Sequence, residues 1–401
     1  MAYKYNSSLF LGETLGGKPS PVFFDPHTCI LNNRPPTTVI TGGPGSGKTY
    51  MLLNLVAQSA ILGKACVFLD PKGDALGLQA LSKDLGNLKF WNLAGRGQKG
   101  ILDPFQMPID HESQRLELII NTVEMFVGNI TEDQRTRLGA IVEDVMREQV
   151  PSLLRVVEVM IMHRERDVRN LGNRLSLISK MKFANLCFAP GRKGFKPLSL
   201  DSGVTIVTMP GLKLTVDSKD GMSGEERISA TIFFLLTSMI NGMLYSSDVS
   251  MRKILVIDEA WAIAGNSAGS KVIKAVAKLG RSKNMAVILA SQNQSDLMGE
   301  DIDTTISTRF AFATDYKEAA NITKAMRLPT GQGFEQILTS LSPGECLMEE
   351  STSDDGRSRY STMKAVVISP RWDEAFRTNP EDVRAREKKR RKQAASKKNP
   401  T

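Results

Sequence analysis

The sequence has few of the residues that identify several large classes of protein. It contains 4 cysteines, 3 histidines and 6% aromatic residues. The cysteines Cys29, Cys66, Cys187 and Cys346 are scattered, without the paired spacing of a metal site or the density of a disulfide framework. We therefore expect free thiols in a reducing, cytosolic compartment. The scarcity of aromatic side chains gives little support to a surface that grips single-stranded nucleic acid by base stacking.

Signals for export or membrane insertion are also lacking. No apolar core follows a basic start at the N-terminus, as a secretory signal peptide would require. Residues 228–247 carry no charge and have the length of a membrane span. Their serines, threonines and Asn241, with acidic residues just before them, favour a buried helix of an α/β core instead. We expect no integral membrane segment and a cytoplasmic protein, with peripheral association at the inner face of the cell membrane left open.

The net charge of +9 is unevenly placed. From Arg384 onward there are nine lysines and arginines and one glutamate, which leaves about +1 for everything before. The folded part is therefore near neutral, and its charge does not mark it as a nucleic-acid binder. The basic run Lys388–Lys392 has two interpretations. It could bind phosphates of DNA or of anionic lipid, or it could be a solvated, disordered terminus, as such runs more often are.

Residues 37–62 combine a strand, a glycine-rich loop and a helix. The apolar pair Val39–Ile40 leads into the loop, and an amphipathic segment follows at once, which is the context that a phosphate-binding P-loop needs. The loop backbone turns its N–H groups toward phosphate, Lys48 can reach the β- and γ-phosphates, and Thr49 can hold Mg²⁺. We predict ATP and Mg²⁺ as ligands. The predicted binding residues are Gly42, Gly43, Pro44, Gly45, Ser46, Gly47, Lys48, Thr49 and Tyr50.

A second buried strand ends in two carboxylates, Asp258 and Glu259. Parallel sheets place their ligands at the carboxyl ends of the strands, so Asp258 is predicted to lie beside the P-loop and to hold Mg²⁺ directly or through water. Glu259, one residue further, is predicted to orient and deprotonate the attacking water. About 210 residues separate Lys48 from Asp258, far more than a minimal P-loop domain needs.

Two further polar positions are candidate catalytic residues. Gln292 follows the next apolar strand, where an amide can sense the γ-phosphate or hold the lytic water. Arg309, in the following strand, is a candidate arginine finger that could act on its own site or, in a ring, on that of a neighbour. Arg281 is a second candidate for the same role.

Strands that alternate with helices predict an α/β fold with a mainly parallel sheet covered on both faces. Between the two halves of the site the pattern changes to helical periods, which indicates an inserted, all-helical subdomain. The predicted organisation is a small N-terminal β element at 1–34, an ATPase core at 35–110 and 187–376, the helical insertion at 111–186, and a basic, disordered tail at 377–401.

Several stretches together resemble the HerA–FtsK superfamily of ring-forming ATPases. Residues 279–292 are similar to its strand that leads to the sensor glutamine, and residues 302–312 to its arginine-bearing strand. The Asp-Glu-Ala-Trp stretch within Ile257–Trp261 resembles the conjugative, TraC-like ATPases of type IV secretion systems, as do the helical insertion and the closing Pro343–Met348. The resemblance runs from about residue 8 to 375 and implies a RecA-like P-loop NTPase fold.

Two details qualify this resemblance. The stretch Asp70–Asp74, Asp-Pro-Lys-Gly-Asp, is similar to coupling proteins that hand DNA to the same machines. Typical members also carry a large N-terminal domain that docks on the inner-membrane complex, whereas some 35 residues precede the P-loop here. The resemblance therefore covers the ATPase domain only.

The resemblance implies an ATPase that works as a homo-hexamer with inner-membrane components of a conjugation or type IV secretion machine. ATP hydrolysis would energise DNA transfer, transfer of another substrate, or pilus assembly. Two alternatives stay open. One is a DNA translocase of the FtsK, HerA or coupling-protein kind, which would move DNA through a ring pore. The other is an ATP-gated assembly scaffold with little turnover, against which the presence of Glu259 argues.

Overall fold

A computed structural model describes most of the chain. The described residues are 8–86, 88–95, 97–109, 111–191, 203–212, 223–246, 250–261, 280–297, 305–329, 331–350 and 358–378. The basic run at 388–392, with its candidate role in binding DNA or lipid, lies outside the described residues.

An eleven-stranded sheet runs through the described part of the chain. Its strands are β1 (Leu9–Thr14), β2 (Pro21–Phe24), β3 (Thr37–Thr41), β4 (Ala65–Asp70), β5 (Leu88–Asn92), β6 (Val204–Thr208), β7 (Lys253–Ile257), β8 (Met285–Ser291), β9 (Ile306–Phe312), β10 (Glu345–Glu350) and β11 (Arg359–Ala365). Their order across the sheet is β2-β1-β11-β10-β9-β3-β8-β7-β4-β6-β5.

The strands from β9 to β5 form one parallel block. Strands β10, β11, β1 and β2 extend it with antiparallel pairs. The predicted, mainly parallel α/β sheet is therefore confirmed. The two strands of the predicted N-terminal β element belong to this same sheet, because β1 pairs with β11.

The helices of the described residues are α1 (Thr28–Leu31), α2 (Lys48–Ile61), α3 (Ser82–Leu85), α4 (Glu112–Val127), α5 (Glu132–Met146), α6 (Leu153–Ile161), α7 (Arg166–Ile178), α8 (Gly224–Ser246), α9 (Tyr316–Ala325), α10 (Phe334–Ser340) and α11 (Pro370–Phe376). Helices α4 to α7 lie between β5 and β6 in sequence. Polar side chains define where two of them begin: Thr131 and Gln134 form a capping box at α5, and the Ser152 hydroxyl accepts the Arg155 N–H at α6.

Apolar side chains cover both faces of the sheet. On one face, helices α4 to α8 share one buried apolar cluster with the sheet, which includes Leu138, Leu235 and Leu255. On the other face α2 and α11 pack against the sheet, with Phe68 and Phe310 among the buried residues. Because both faces are covered, β3, β7 and β8 are buried along their whole length, as the strands of parallel sheets usually are.

Two expectations from composition can be compared with this fold. All four cysteines are buried and free, as expected. Within the described ranges, no helix is long and apolar enough to cross a membrane. In the apolar segment at 228–247, Leu235 and Leu236 of α8 are fully buried, so this helix packs in the protein core.

Helix α2, which follows the P-loop, is buried on nearly all sides and carries polar residues for a structural reason. Gln58 donates a hydrogen bond to the carbonyl oxygen of Phe10 (2.6 Å) and accepts one from the Phe10 N–H (2.8 Å). Asn54 donates to the same carbonyl at 3.1 Å. These bonds satisfy the backbone of β1 where its register shifts between Phe10 and Gly12. The helix is thereby fixed to the strand beside it.

Candidate functional site

The P-loop connects β3 to α2 and needs glycine at two crowded positions. Gly42 has φ +149°, and a Cβ there would lie 2.6 Å from the Cβ of Phe312. Gly47 has φ +110° and caps the N-terminus of α2, and a Cβ there would lie 2.9 Å from the Cα of Gly344. Any side chain at either position would collide with its neighbour, so the loop shape depends on both glycines.

The interior of the loop is suited to an anion. Lys48 is buried, and its ammonium donates hydrogen bonds to the carbonyl oxygens of Gly42 and Gly43, the latter at 2.9 Å. Burial lowers the pKa of Lys48, while the charges of Asp258 and Glu259 oppose that shift. Among the described residues, the buried Ser46 hydroxyl has no hydrogen-bond partner. With the N–H groups at the start of α2, these donors fit a phosphate chain.

Asp258 lies beside the P-loop, as predicted. The Thr49 hydroxyl donates to its Oδ2 atom at 3.3 Å, and the Asp258 N–H donates to the carbonyl oxygen of Leu69 at 3.0 Å. Burial, followed by the charge of Glu259, raises the pKa of Asp258 to about 6. A cation bound at this carboxylate would offset the desolvation of its charged form.

The same two side chains suit Mg²⁺, which prefers oxygen ligands and usually binds one or two protein groups along with phosphate and water. Thr49 and Asp258 offer a hydroxyl and a carboxylate oxygen that lie 3.3 Å apart. In the part of the chain that the structure describes, no group of three or more histidines, cysteines or carboxylates is arranged to hold a metal ion.

Glu259 is buried and adopts an uncommon backbone conformation, φ +52°. One of its carboxylate oxygens contacts the ammonium of Lys72, and the other accepts the indole N–H of Trp261. Its own N–H donates to the Asp258 side chain at 2.9 Å. The carboxylate predicted to act on water is therefore held in place by two named side chains.

The loop that carries Lys72 is a part of the site that the sequence did not assign to catalysis. It begins at Asp70, the last residue of β4, and β4 pairs directly with the carboxylate-bearing strand β7. Burial raises the pKa of Asp70 to about 7, against the opposing effect of the Ala75 N–H. Burial also raises the pKa of Asp74. The detectable signal was an Asp-Pro-Lys-Gly-Asp stretch at the carboxyl end of a buried strand.

The structure also brings Gln292 to this edge of the sheet. Ser291 pairs with Thr41, so Gln292 and Gly42 follow at the same level of two adjacent parallel strands. The Ser291 hydroxyl donates to Asp296 at 3.0 Å, which stabilises the turn after β8. Gln292 is half-buried, and its position between the P-loop strand and the carboxylate strand is compatible with the predicted contact to the γ-phosphate or water.

Arg309 does not reach the P-loop. It pairs with Val39 in the middle of the sheet, three residues before the loop begins, and its side chain is on the face opposite to α2. Its guanidinium donates to the carboxylate of Glu349 at 2.9 Å, and both side chains are less than a tenth exposed. An arginine finger must contact phosphate, so this burial argues against the predicted role, and Arg309 instead stabilises the β9–β10 pair.

Arg281 lies at the opposite edge of the sheet from the P-loop. It is exposed, precedes β8, and donates to the carbonyl oxygen of Asn33 at 3.3 Å. From there it cannot contact a nucleotide in its own subunit. It stays a candidate only for a site in a neighbouring subunit.

A cavity of about 680 Å³ opens from the P-loop. One wall is Gly45–Tyr50, and the other is formed by the turn before β10, the end of β11 and the end of α11. The Tyr50 hydroxyl donates to Asp373 at 2.8 Å, and the Gly344 N–H donates to the Ser46 carbonyl oxygen at 2.8 Å. These bonds attach the C-terminal wall to the P-loop. The further lining residues are Pro343, Gly344, Ala365, Phe376, Arg377 and Thr378.

Comparisons with known proteins agree with this geometry. A family model described as "AAA-like domain" matches residues 31–376. A relative in Bacillus subtilis (strain 168), the uncharacterized protein YddE, is 23% identical over 369 residues. The match covers 86% of this chain and 43% of YddE, so the chain spans less than half the length of that relative.

Two solved structures share the fold. VirB4 of Thermoanaerobacter pseudethanolicus superposes with a TM-score of 0.70 at 17% identity, covering 92% of this chain and 98% of that one. The plasmid coupling protein TrwB, in complex with a non-hydrolysable ATP analogue, superposes with a TM-score of 0.53 at 11% identity, covering 89% and 97%. The RecA-like P-loop ATPase fold that the sequence resemblance implied is therefore confirmed.

Proposed function

This chain belongs to the AAA-like domain family, and from that premise we propose that it is the ATP-hydrolysing motor of a conjugative or type IV secretion machine. One observation carries the proposal of catalysis. The P-loop and the carboxylates of Asp258 and Glu259 converge at one end of the sheet, beside a cavity large enough for a nucleotide. Binding alone would not need a buried glutamate there.

In the proposed reaction the phosphates of ATP lie in the P-loop, where Lys48 and the N-terminus of α2 bind their oxygens. Thr49 and Asp258 would hold Mg²⁺, which would neutralise negative charge on the triphosphate. Glu259 accepts a proton from a water whose oxygen forms the new bond to the γ-phosphorus. The bond from that phosphorus to the β–γ bridging oxygen breaks, giving ADP and phosphate. Gln292 orients the water.

The nucleoside part of ATP fits the cavity beyond the P-loop. Tyr50 follows the phosphate-binding residues directly, and the cavity continues from it to Ala365, Phe376 and Arg377. This wall combines apolar surface with a cation, which suits a base and its ribose. We therefore infer that residues near the end of α11 contribute to nucleotide affinity.

The proposed role in a secretion machine is supported by the likeness to VirB4 and TrwB over most of this chain and by the Asp-Glu-Ala-Trp stretch at 258–261. In this proposal the protein works in the cytoplasm as a homo-hexameric ring, bound to inner-membrane components of the machine. With Arg309 buried in an ion pair, a finger acting between subunits would have to come from elsewhere, and Arg281 is the exposed candidate.

A DNA translocase is the second candidate, since the Asp70–Asp74 stretch resembles coupling proteins and TrwB is itself a plasmid coupling protein. Steady-state ATP hydrolysis by the full chain, measured with and without single- and double-stranded DNA at two salt concentrations, separates the candidates. Stimulation by DNA that weakens with salt would favour the translocase. Hydrolysis without DNA stimulation would favour a motor driven by protein partners, and nucleotide binding without hydrolysis would leave the scaffold alternative.

A further inference from the structure

The turn after β8 carries Gln292, and the residues around it determine where this side chain lies. Within the described ranges, the Gln292 side chain forms no hydrogen bond of its own. Asp296 accepts the Ser291 hydroxyl at 3.0 Å and the Asn293 amide at 3.1 Å. Both bonds lie inside the turn and give it its shape. The position of Gln292 relative to the P-loop therefore depends on a contact between this turn and another element.

Glu318, in the first turn of α9, supplies that contact. One of its carboxylate oxygens accepts the backbone N–H groups of Gln294 and Ser295, the latter at 3.1 Å. The other oxygen accepts the Ser295 hydroxyl at 3.4 Å and the Asn321 amide at 2.9 Å. All four of these donors are uncharged, and Glu318 is 5% exposed. A carboxylate can accept hydrogen bonds at both of its oxygens, so glutamate suits this position.

Helix α9 is in turn attached to the P-loop. The Gly43 N–H donates to the carbonyl oxygen of Ala313 at 2.8 Å, and Asp315, two residues later, caps α9 by accepting the Glu318 N–H at 2.9 Å. Strands β8 and β9 both pair with β3, one on each side. The Glu318 carboxylate therefore joins the segments that follow β8 and β9, across the end of the strand that leads into the P-loop.

We propose that Glu318 is a positioning residue for Gln292: by holding the backbone N–H groups two and three residues further along the turn, it fixes the distance between the Gln292 amide and phosphates bound in the P-loop. The proposal rests on the proposed ATPase function and on the role of Gln292 in it. Glu318 contacts neither nucleotide nor water in this role. Displacing a group that orients water lowers the rate more than the affinity, because the P-loop makes the ground-state contacts to the triphosphate.

Steady-state kinetics of the full chain test this role. Glu318→Met, which keeps a similar length and helix propensity but removes both carboxylate oxygens, should lower kcat by about tenfold to a hundredfold. Affinity for a non-hydrolysable ATP analogue should stay within about twofold of the wild type, because the P-loop contacts are unchanged. Glu318→Gln should recover most of kcat, since its carbonyl oxygen can accept both backbone N–H groups.

Two further variants sharpen the kinetic test. Glu318→Asp is a milder change that draws the carboxylate back by one methylene group, and it should lower kcat in the same direction even if Glu318→Met does not fold. Asn321→Ala is the matched control, because it removes a donor to the other oxygen of the same carboxylate and should leave kcat unchanged. An undiminished kcat in Glu318→Asp and Glu318→Met would overturn the proposal.

A double variant separates positioning from general stability. In a Gln292→Ala background, Glu318→Met should cause no further loss of kcat, since the side chain that it positions is already absent. A loss that persists in full in that background would be independent of Gln292 and would also overturn the proposal.

Hydrogen–deuterium exchange measured by mass spectrometry tests the contact without turnover. A peptide that spans the turn after β8 contains the two backbone amides that Glu318 holds. Their exchange should be faster in Glu318→Met than in the wild type and near the wild-type rate in Glu318→Gln. Peptides from α5 should exchange equally in all three proteins. Exchange of the turn that is the same in wild type and Glu318→Met would refute the contact.

The two proposals fail on different results. A wild-type protein that binds ATP without hydrolysing it would refute the proposed function, whatever the exchange of the turn. A wild type that hydrolyses ATP, with kcat undiminished in Glu318→Met and Glu318→Asp, would refute the role of Glu318 and leave the ATPase function standing.

Discussion

The hydroxyl of Thr49 donates a hydrogen bond to a carboxylate oxygen of Asp258, although 209 positions separate the two residues in sequence. The bond crosses the sheet, because β8 lies between the P-loop strand β3 and the carboxylate strand β7. A nucleotide bound in the P-loop would therefore meet both halves of the site, with Gln292 at the end of the strand between them.

Lys48→Ala should abolish measurable ATP binding. The substitution removes a buried cation that would donate charge-assisted hydrogen bonds to phosphate, and two such bonds correspond to about a hundredfold or more in affinity. Titration calorimetry with a non-hydrolysable ATP analogue measures the effect. Lys83→Ala, at an exposed lysine, is the matched control. Undiminished affinity in Lys48→Ala would refute the P-loop assignment.

Glu259→Gln should preserve nucleotide binding and stop hydrolysis. The amide keeps the size of the side chain but cannot accept a proton from water, and loss of a general base lowers kcat by about a hundredfold to ten-thousandfold. Phosphate release under saturating ATP measures kcat, and the calorimetric titration measures binding. Glu132→Gln, at an exposed position of α5, is the control. Turnover near that of the wild type would remove the general-base role from Glu259.

Arg309→Met should destabilise the fold instead of specifically reducing catalysis. The substitution leaves the buried carboxylate of Glu349 without its cation, which costs about 3–5 kcal/mol in comparable buried pairs. The double variant Arg309→Met/Glu349→Leu should recover much of that loss, since no unpaired charge stays buried. Urea denaturation gives both free energies of unfolding, with exposed Arg359→Met as the control. A stable Arg309→Met protein with severely reduced kcat would restore the arginine-finger interpretation.

Asp103 should make stability depend on pH. Its fully buried carboxylate accepts the N–H groups of Phe105, Leu153 and Ala189, and burial raises its pKa to about 7 despite those bonds. The folded state therefore keeps a proton that the unfolded chain releases near pH 4. The resulting stabilisation is complete below about pH 4 and is lost as pH rises through about 7.

The comparison of wild type with Asp103→Asn isolates this effect, because the amide does not titrate. The difference in free energy of unfolding between the two proteins should change between pH 5 and pH 8, with the wild type losing stability relative to the variant as pH rises. Urea denaturation at several pH values measures it, with the exposed Asp133→Asn as control. A difference that is constant with pH would contradict the prediction.

Ala365→Trp should weaken ATP binding by filling the cavity where the nucleoside is proposed to lie. KM for ATP should rise by about tenfold or more, which corresponds to a loss of about 1.4 kcal/mol or more of contact with the base and ribose. Inhibition by inorganic tripolyphosphate, which needs only the P-loop, should stay unchanged. Lys364→Trp, at the adjacent exposed position of β11, is the control. Equal loss of affinity for ATP and tripolyphosphate would point to a damaged P-loop instead of a blocked nucleoside pocket.

The sequence predicted those parts of the site whose residues lie close together in the chain. The glycines around Lys48 and the carboxylates after a run of apolar residues each have a recognisable spacing, and the alternation of strands and helices predicted the parallel sheet. Gln292 was predicted to lie near Asp258 and Glu259, because the carboxyl ends of parallel strands meet at one edge of the sheet.

The features that the sequence could not predict depend on contacts between distant segments. The Lys72–Glu259 pair joins residues 187 positions apart, and nothing in either motif specifies the partner. The register of β9 against β10 places Glu349 directly opposite Arg309, and no motif in the sequence predicts that ion pair. Similarly, β1 and β2 were recognised as strands, but their pairing through β11 depends on tertiary structure.

The wall of residues 343–378 across the cavity from the P-loop has a consequence for synthesis of the protein on the ribosome. Lys48 and Thr49 leave the exit tunnel early, but Gly344, Ala365 and Phe376, which close the other side of the cavity, are translated some 300 residues later. Because β3 pairs with β8 and β9, the strand before the phosphate loop joins the sheet only after Phe312 is made, and the far wall of the nucleotide cavity follows later still. Translation that stops before residue 343 would leave a product with a P-loop but without the far wall of the nucleotide cavity.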